Sequence, residues 1–187
     1  MAGTPQASAI PPGVVDAACG GDAEAIADIY RLLAPAVIGY LRGAGATDPE
    51  NLAGDVFVGV VRGLPRFTGD GVALRTWVFT IAHRRLVDER RRAGRRPDLC
   101  SLEAGAGWAS AADDFDHVLD SMSAMPVREA LAALTPDQRN VVLLRVVAEL
   151  SVEQTAQALH RPVAAVKMLQ RRALRAMAKR IPQHAVT

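Results

Sequence analysis

The chain has 187 residues, half of them hydrophobic but only 4% aromatic, with two cysteines and a formal net charge of +2. That length suggests one domain or two small ones, and the richness in Ala, Leu, Val and Arg favours helices packed through aliphatic faces. Cys19 and Cys100 lack any CxxC or Cys/His spacing, which argues against a disulfide framework or zinc module, and neither a signal peptide nor an apolar run of roughly 20 residues is present, so a cytoplasmic protein without membrane insertion is expected.

Residues 1–13 are small, polar and Pro-rich, and read as a disordered tail. Helical signals then follow one another over residues 14–95. Ala25, Ile26, Ile29, Leu32 and Leu33 form an apolar stripe that Val37, Ile38 and Leu41 continue beyond Pro35. After the break at GAGATDPEN, Asp48 and Pro49 read as the N-cap and first residue of a helix striped by Leu52, Val56, Phe57, Val60 and Val61. The loop RFTGDGVA leads into LRTWVFTIAHRRLVDERRR, where Leu74, Trp77, Val78, Ile81, Ala82 and Leu86 make a core-facing stripe. His83, Arg84, Asp88, Arg91 and Arg92 flank it.

Residues 96–126 turn to Gly, Ala, Ser and Asp and read as a linker, with a weak helix around 115–122. A second helical unit is expected over 127–182, followed by a short tail at 183–187. Thr135-Pro-Asp-Gln and Ser151-Val-Glu-Gln match the capping box and place helix starts at Pro136 and Val152. The segment SVEQTAQALHRPVAAVKMLQRRALRAMAKR has the layout of a helix-turn-helix: a short helix with a small Ala156, a turn at His160-Arg161-Pro162, and a longer helix. On that longer helix Val166, Leu169, Ala173 and Met177 fall on one side. Ala164, Lys167, Met168, Arg171 and Arg175 fall on the other, with Arg172 near its edge.

Charge is segregated along the chain. Seven arginines lie between Arg84 and Arg96 against two acids, residues 97–127 carry only acids, and no acid follows Glu153. Two basic blocks separated by an acidic one suggest two polyanion-facing surfaces and a connector of opposite sign. A basic helix can enter a major groove, where arginine reads guanine and other cations hold phosphates. A plain helical hairpin has the same apolar pattern, and the unbroken positive charge favours DNA over it. The glycine-rich loop beside the first basic helix suits a splayed single strand, with phosphates along the arginines and an unstacked base held by the loop. No phosphate loop, metal-ligand spacing or catalytic constellation is present in the sequence, so neither a cofactor nor an enzyme is expected.

The two blocks together resemble the extracytoplasmic-function group of bacterial sigma factors, the two-domain initiation subunits of RNA polymerase. DPENLAGDVFVGVVRGLPRFTGDGVALRTWVFTIAHRRLVDERRR, residues 48–92, is similar to the family's first-domain pattern, and LAALTPDQRNVVLLRVVAELSVEQTAQALHRPVAAVKMLQRRA, residues 131–173, to its second. The resemblance implies an all-α chain in which a region 2 helical bundle and a region 4 helix-turn-helix are joined by a flexible acidic linker. It implies that Glu50, Asn51, Leu52, Asp55 and Phe57 dock on the β′ clamp helices of core polymerase, the β flap being a further contact. It assigns Thr68, Gly69, Asp70, Arg75, Thr76, His83, Arg84 and Arg91 to recognition and melting of the −10 element. Arg161, Ala164, Lys167, Met168, Arg171, Arg172 and Arg175 fall at the −35 positions. Relatives are often held inactive by an anti-sigma factor, a further candidate partner. Gly54, the longer −10 loop, Leu74, Arg84 and Met168-Leu169-Gln170 depart from the family pattern where bases or polymerase are met. The alternative is a stand-alone helix-turn-helix regulator.

Overall fold

The computed structural model of the protein describes residues 10–11, 13–93 and 124–180, and every regular element among them is helical. The expected tail at 183–187, most of the one at 1–13, and the connector as far as residue 123 with its weak helix lie outside the described residues. In the first stretch α1 (Val14–Cys19) and α2 (Ala23–Ala44) precede α3 (Pro49–Gly63), which passes through a 3-10 turn (Leu64–Arg66) before α4 (Gly71–Ala93). The second stretch holds α5 (Ala124–Ala132), α6 (Pro136–Val146), α7 (Val152–Ala158) and α8 (Val163–Ala178).

Local chemistry sets the boundaries of these helices. The Asp22 carboxylate accepts from the Ala25 amide at 2.8 Å to start α2, and Gly45, at φ 88°, ends it in the left-handed conformation that glycine adopts without cost. Asp48 starts α3 in the same way, with Pro49 in the first turn, where its missing N–H is no loss. Both expected capping boxes are formed, and α6 and α7 begin at Pro136 and Val152 as the sequence indicates. α5 starts at Ala124, ahead of the boundary expected at 127, because Pro126 falls in its first turn and breaks no intrahelical bond.

Pro35 lies inside α2 without ending it. A mid-helix proline costs about 3 kcal/mol. Ile29, Leu33, Val37, Tyr40 and Leu41 of the same helix are essentially fully buried. Each aliphatic side chain so buried contributes roughly 1.5–3 kcal/mol, so packing outweighs the proline.

α3 packs between α2 and α4, while α6 and α7 both pack on α8. The two helical units also meet. α2 lies on α6, α4 lies on α7, and one apolar core runs from Ile29, Leu33 and Val56 through Phe79 to Leu144, Leu150 and Val166. Small units bury a low fraction of their apolar surface, and pooling two cores offsets that deficit. Among the described residues no helix is long and apolar enough to cross a membrane.

Candidate nucleic-acid interface

The second unit presents its helix-turn-helix with a fully defined frame. Ser151 Oγ accepts from the Gln154 amide at 3.1 Å while Gln154 Oε1 accepts from the Ser151 amide at 2.6 Å, which anchors the short α7. Thr155 and Ala156 are buried where α7 meets α8. The turn is closed by His160 at φ 49° and by the Arg161 amide donating to the Ala156 carbonyl at 2.9 Å. Histidine tolerates this left-handed region better than most side chains do, so the turn forms without glycine. Val166 and Ala173 of α8 are buried and Leu169 and Met177 partly so. Ala164, Lys167, Met168, Arg171, Arg172 and Arg175 all face solvent. Arg161 is also exposed and pairs with Asp137 at 2.8 Å. The sequence-derived −35 residues thus form one basic surface along α8 and the turn before it.

The residues expected at the −10 element divide. Thr68, Gly69 and Asp70 are exposed in the loop, and Arg84 and Arg91 are exposed on α4. Asp70 has a structural task, since its carboxylate accepts from the Ala73 amide at 2.8 Å and caps α4. The loop is seated from below, where the Phe67 ring lies 5.1 Å from that of Trp77. Trp77 is partly buried, as expected for a core residue.

Arg75 and Thr76 are buried instead of facing solvent. Thr76 Oγ1 donates to the Val72 carbonyl at 2.9 Å on its own helix. Arg75 Nε donates to the Ala148 carbonyl at 2.7 Å, its guanidinium lies 3.7 Å from the Glu149 carboxylate, and its Cζ stands 5.9 Å over the Phe79 ring. Burial lowers its pKa from the ordinary value, with Glu149 acting in the opposite sense. His83 is partly buried and shares a 2.9 Å hydrogen bond, through Nδ1, with the Tyr40 hydroxyl. Desolvation, aided by the Arg90 charge, pushes its pKa down to about 4, so the imidazole is neutral at physiological pH. Arg90 donates to the Ala44 carbonyl at the end of α2, so one arginine of the basic cluster serves the fold.

The set expected to face polymerase divides in a similar way. Glu50, Asn51 and Asp55 are exposed, Leu52 is partly buried, and Glu50 pairs with Arg42 at 2.5 Å. Phe57 is only 7% exposed and packs edge-on against Tyr30, with ring centroids 4.7 Å apart. Tyr30, Phe57 and Val61 line an apolar groove between α2 and α3 of about 340 Å³. Tyr30, Val58 and Val61 are roughly half exposed, an apolar surface that sequence reasoning missed. The available signal was that Val58 and Val61 make α3 apolar beyond the width of a core stripe. Gly54, the departure noted in α3, has open space above its Cα.

Comparison with known proteins agrees with this layout. The family profile described as Sigma-70 region 2 matches residues 29–96, and the one described as Sigma-70, region 4 matches residues 124–177. The chain is 31% identical over 171 residues to the ECF RNA polymerase sigma factor ShbA of Streptomyces griseus, covering 86% of this chain and 90% of that one. It is 29% identical over 174 residues to the ECF RNA polymerase sigma factor BldN of Streptomyces coelicolor, covering 92% of this chain and 66% of BldN. Among solved structures, CnrH in complex with the cytosolic domain of CnrY shares the fold, with a TM-score of 0.64 at 21% identity, covering 89% of this chain and 93% of that one.

Proposed function

Because the chain belongs to the ECF RNA polymerase sigma factors, we propose that it binds core RNA polymerase through the α2–α3 groove, reads promoter −35 duplex with α8, and engages the −10 strand with the 68–70 loop and α4. The observation that carries this reading is the coexistence, in one short chain, of a solvent-facing basic recognition helix and a separate half-exposed apolar groove between α2 and α3. A duplex-binding regulator needs the first and has no use for the second.

Tyr30, Val58 and Val61 form the apolar surface of the groove and Phe57 is its floor, while Glu50, Asn51, Leu52 and Asp55 lie on α3 toward its N-terminal end and extend the proposed contact along the helix. On α8, Lys167, Arg171, Arg172 and Arg175 supply phosphate and base contacts, with Ala164 and Met168 between them. Thr68, Gly69, Arg84 and Arg91 are open to the −10 strand, while Arg75 is held by Ala148 and Glu149 of the second unit, Thr76 is buried and His83 is partly buried against Tyr40. The acidic connector suits a path that nucleic acid otherwise occupies. The protein itself catalyses nothing; strand opening draws on polymerase binding and on base capture, since unstacking a base costs a few kcal/mol. Its place of action is the cytoplasm, with polymerase, and an anti-sigma factor is a candidate regulator.

Run-off transcription with purified core polymerase, on a promoter located by mapping transcript starts after overexpression, tests the reading. A sigma factor restores specific initiation. A stand-alone regulator binds its duplex without polymerase and restores nothing.

A further inference from the structure

We infer that Ile10 is a positioning residue for the loop at 67–71: it seats the end of that loop, so that Thr68, Gly69 and Asp70 stand in one strand-reading conformation. The inference rests on the assignment of this loop to the −10 strand. Ile10 falls in the stretch whose composition suggests a disordered tail, yet it is partly buried and packs on the core. A Cβ at Gly71 would lie 3.0 Å from Ile10 Cβ, 3.3 Å from its carbonyl oxygen and 3.7 Å from its Cα. Main chain thus lies directly against main chain. Gly71 opens α4, where alanine is the better helix former; the advantage of glycine at this position is the closeness of approach it allows.

The start of the loop is held from the same end of the chain. Past Pro11, whose carbonyl accepts from the Val14 amide at 3.3 Å, the backbone enters α1. α1 packs on the 3-10 turn that precedes the loop, and Cys19 Sγ donates to the Phe67 carbonyl at 3.8 Å. The Phe67 ring in turn fills the space beside Gly69, where a Cβ would stand 3.2 Å from its Cζ and 2.8 Å from Ala73 Cβ. Gly69 holds φ 147°, which suits glycine. The loop is therefore fixed at its start by α1 and at its end by Ile10, while Thr68, Gly69 and Asp70 stay exposed.

Seating matters because capturing a base first requires unstacking it, which is costly. Affinity for that base falls further by whatever fraction of the time the loop spends in another conformation. Ile10 meets no strand in this scheme and acts through Gly71. It belongs neither to α8 nor to the groove between α2 and α3, so its loss should spare the contacts to duplex and to polymerase.

The full chain, assembled with core polymerase, is titrated with two labelled DNAs from a promoter located by transcript-start mapping: the unpaired non-template strand of its −10 element, and its −35 duplex. Ile10→Ala should lower affinity for the unpaired strand by roughly fivefold and change affinity for duplex and for core by less than about twofold. Ile10→Val, which keeps the branched Cβ, should restore most of the loss. Gly71→Ala should reproduce the loss, and Ile10→Ala combined with Gly71→Ala should lose no more than either alone, because both remove one contact. In the free chain, hydrogen exchange at the Ala73 and Leu74 amides, which bond to Asp70, should quicken in Ile10→Ala. Unchanged strand affinity, an equal loss on duplex, or additive losses in the double variant would overturn the role of Ile10. A wild-type chain that restores no run-off transcription would overturn the sigma-factor reading, and quickened exchange in Ile10→Ala would still leave the seat of the loop standing.

Discussion

Trp77 lies against Gly63 while its ring packs on Phe67: a Cβ at 63 would stand 2.6 Å from Trp77 Cζ2, and the Phe67 and Trp77 ring centroids are 5.1 Å apart. The end of α3, the start of the loop at 67–70 and α4 are thus tied through one indole.

Gly63→Ala should therefore destabilise the first unit. Alanine at a helix end gains up to about 1 kcal/mol of propensity, but a rigid, partly buried ring cannot yield as a flexible chain end does, and overpacking costs about 1–3 kcal/mol. The expected net effect is a loss of about 1–2 kcal/mol, read as a fall in thermal midpoint. An unchanged or raised midpoint would mean that Trp77 slides freely over α3 and does not hold the loop.

His83 predicts a pH dependence with a definite sign. Its pKa is about 4 in the folded chain against an ordinary 6.5. Between those values the unfolded chain takes up a proton that the folded chain does not, so stability is full above about pH 6.5 and falls as pH drops toward 4. At pH 5 the loss from this group should be on the order of 1–2 kcal/mol. His83→Asn keeps an acceptor for the Tyr40 hydroxyl and removes the titration. Urea unfolding at pH 7 and pH 5 should show a smaller acid loss in the variant, the carboxylates contributing alike to both proteins.

Val58→Asp combined with Val61→Asp tests the groove between α2 and α3. Both side chains are already about half exposed, so the fold should lose little. Placing charge on an apolar contact surface should weaken core polymerase binding by roughly tenfold or more. Pull-down with purified core, beside a circular dichroism melt, reads the two effects separately; unaltered core binding would remove this groove from the polymerase interface.

Lys167→Ala with Arg171→Ala should impair −35-dependent initiation and leave core binding intact. Removing one phosphate-neutralising cation lowers the slope of log affinity against log salt by about one, so duplex binding by the double variant should show a slope shallower by about two. A steep slope retained in full would mean that phosphates are held elsewhere than on α8.

Much of this molecule was legible without coordinates wherever the information is local. Asp48, Thr135 and Ser151 announce their helices because a cap and its amide are three residues apart. The outward face of α8 follows from helical periodicity, and so Ala164, Lys167, Met168, Arg171, Arg172 and Arg175 are exposed as the pattern indicates. Periodicity says which side of a helix is apolar; it is silent on whether a polar side becomes covered. Arg75 and Thr76 belong to a segment whose basic character suggests an open, polyanion-facing surface, and only tertiary structure buries them, through contacts such as Arg75 to Ala148 that no local pattern encodes. Phe57, expected both in the apolar stripe of α3 and at the polymerase contact, is buried, and the packing of α2 on α3 leaves Tyr30, for which the sequence pattern gave no role, half exposed beside it. Caps and stripes are properties of a few neighbouring residues, whereas occlusion is a property of two units that must first find each other.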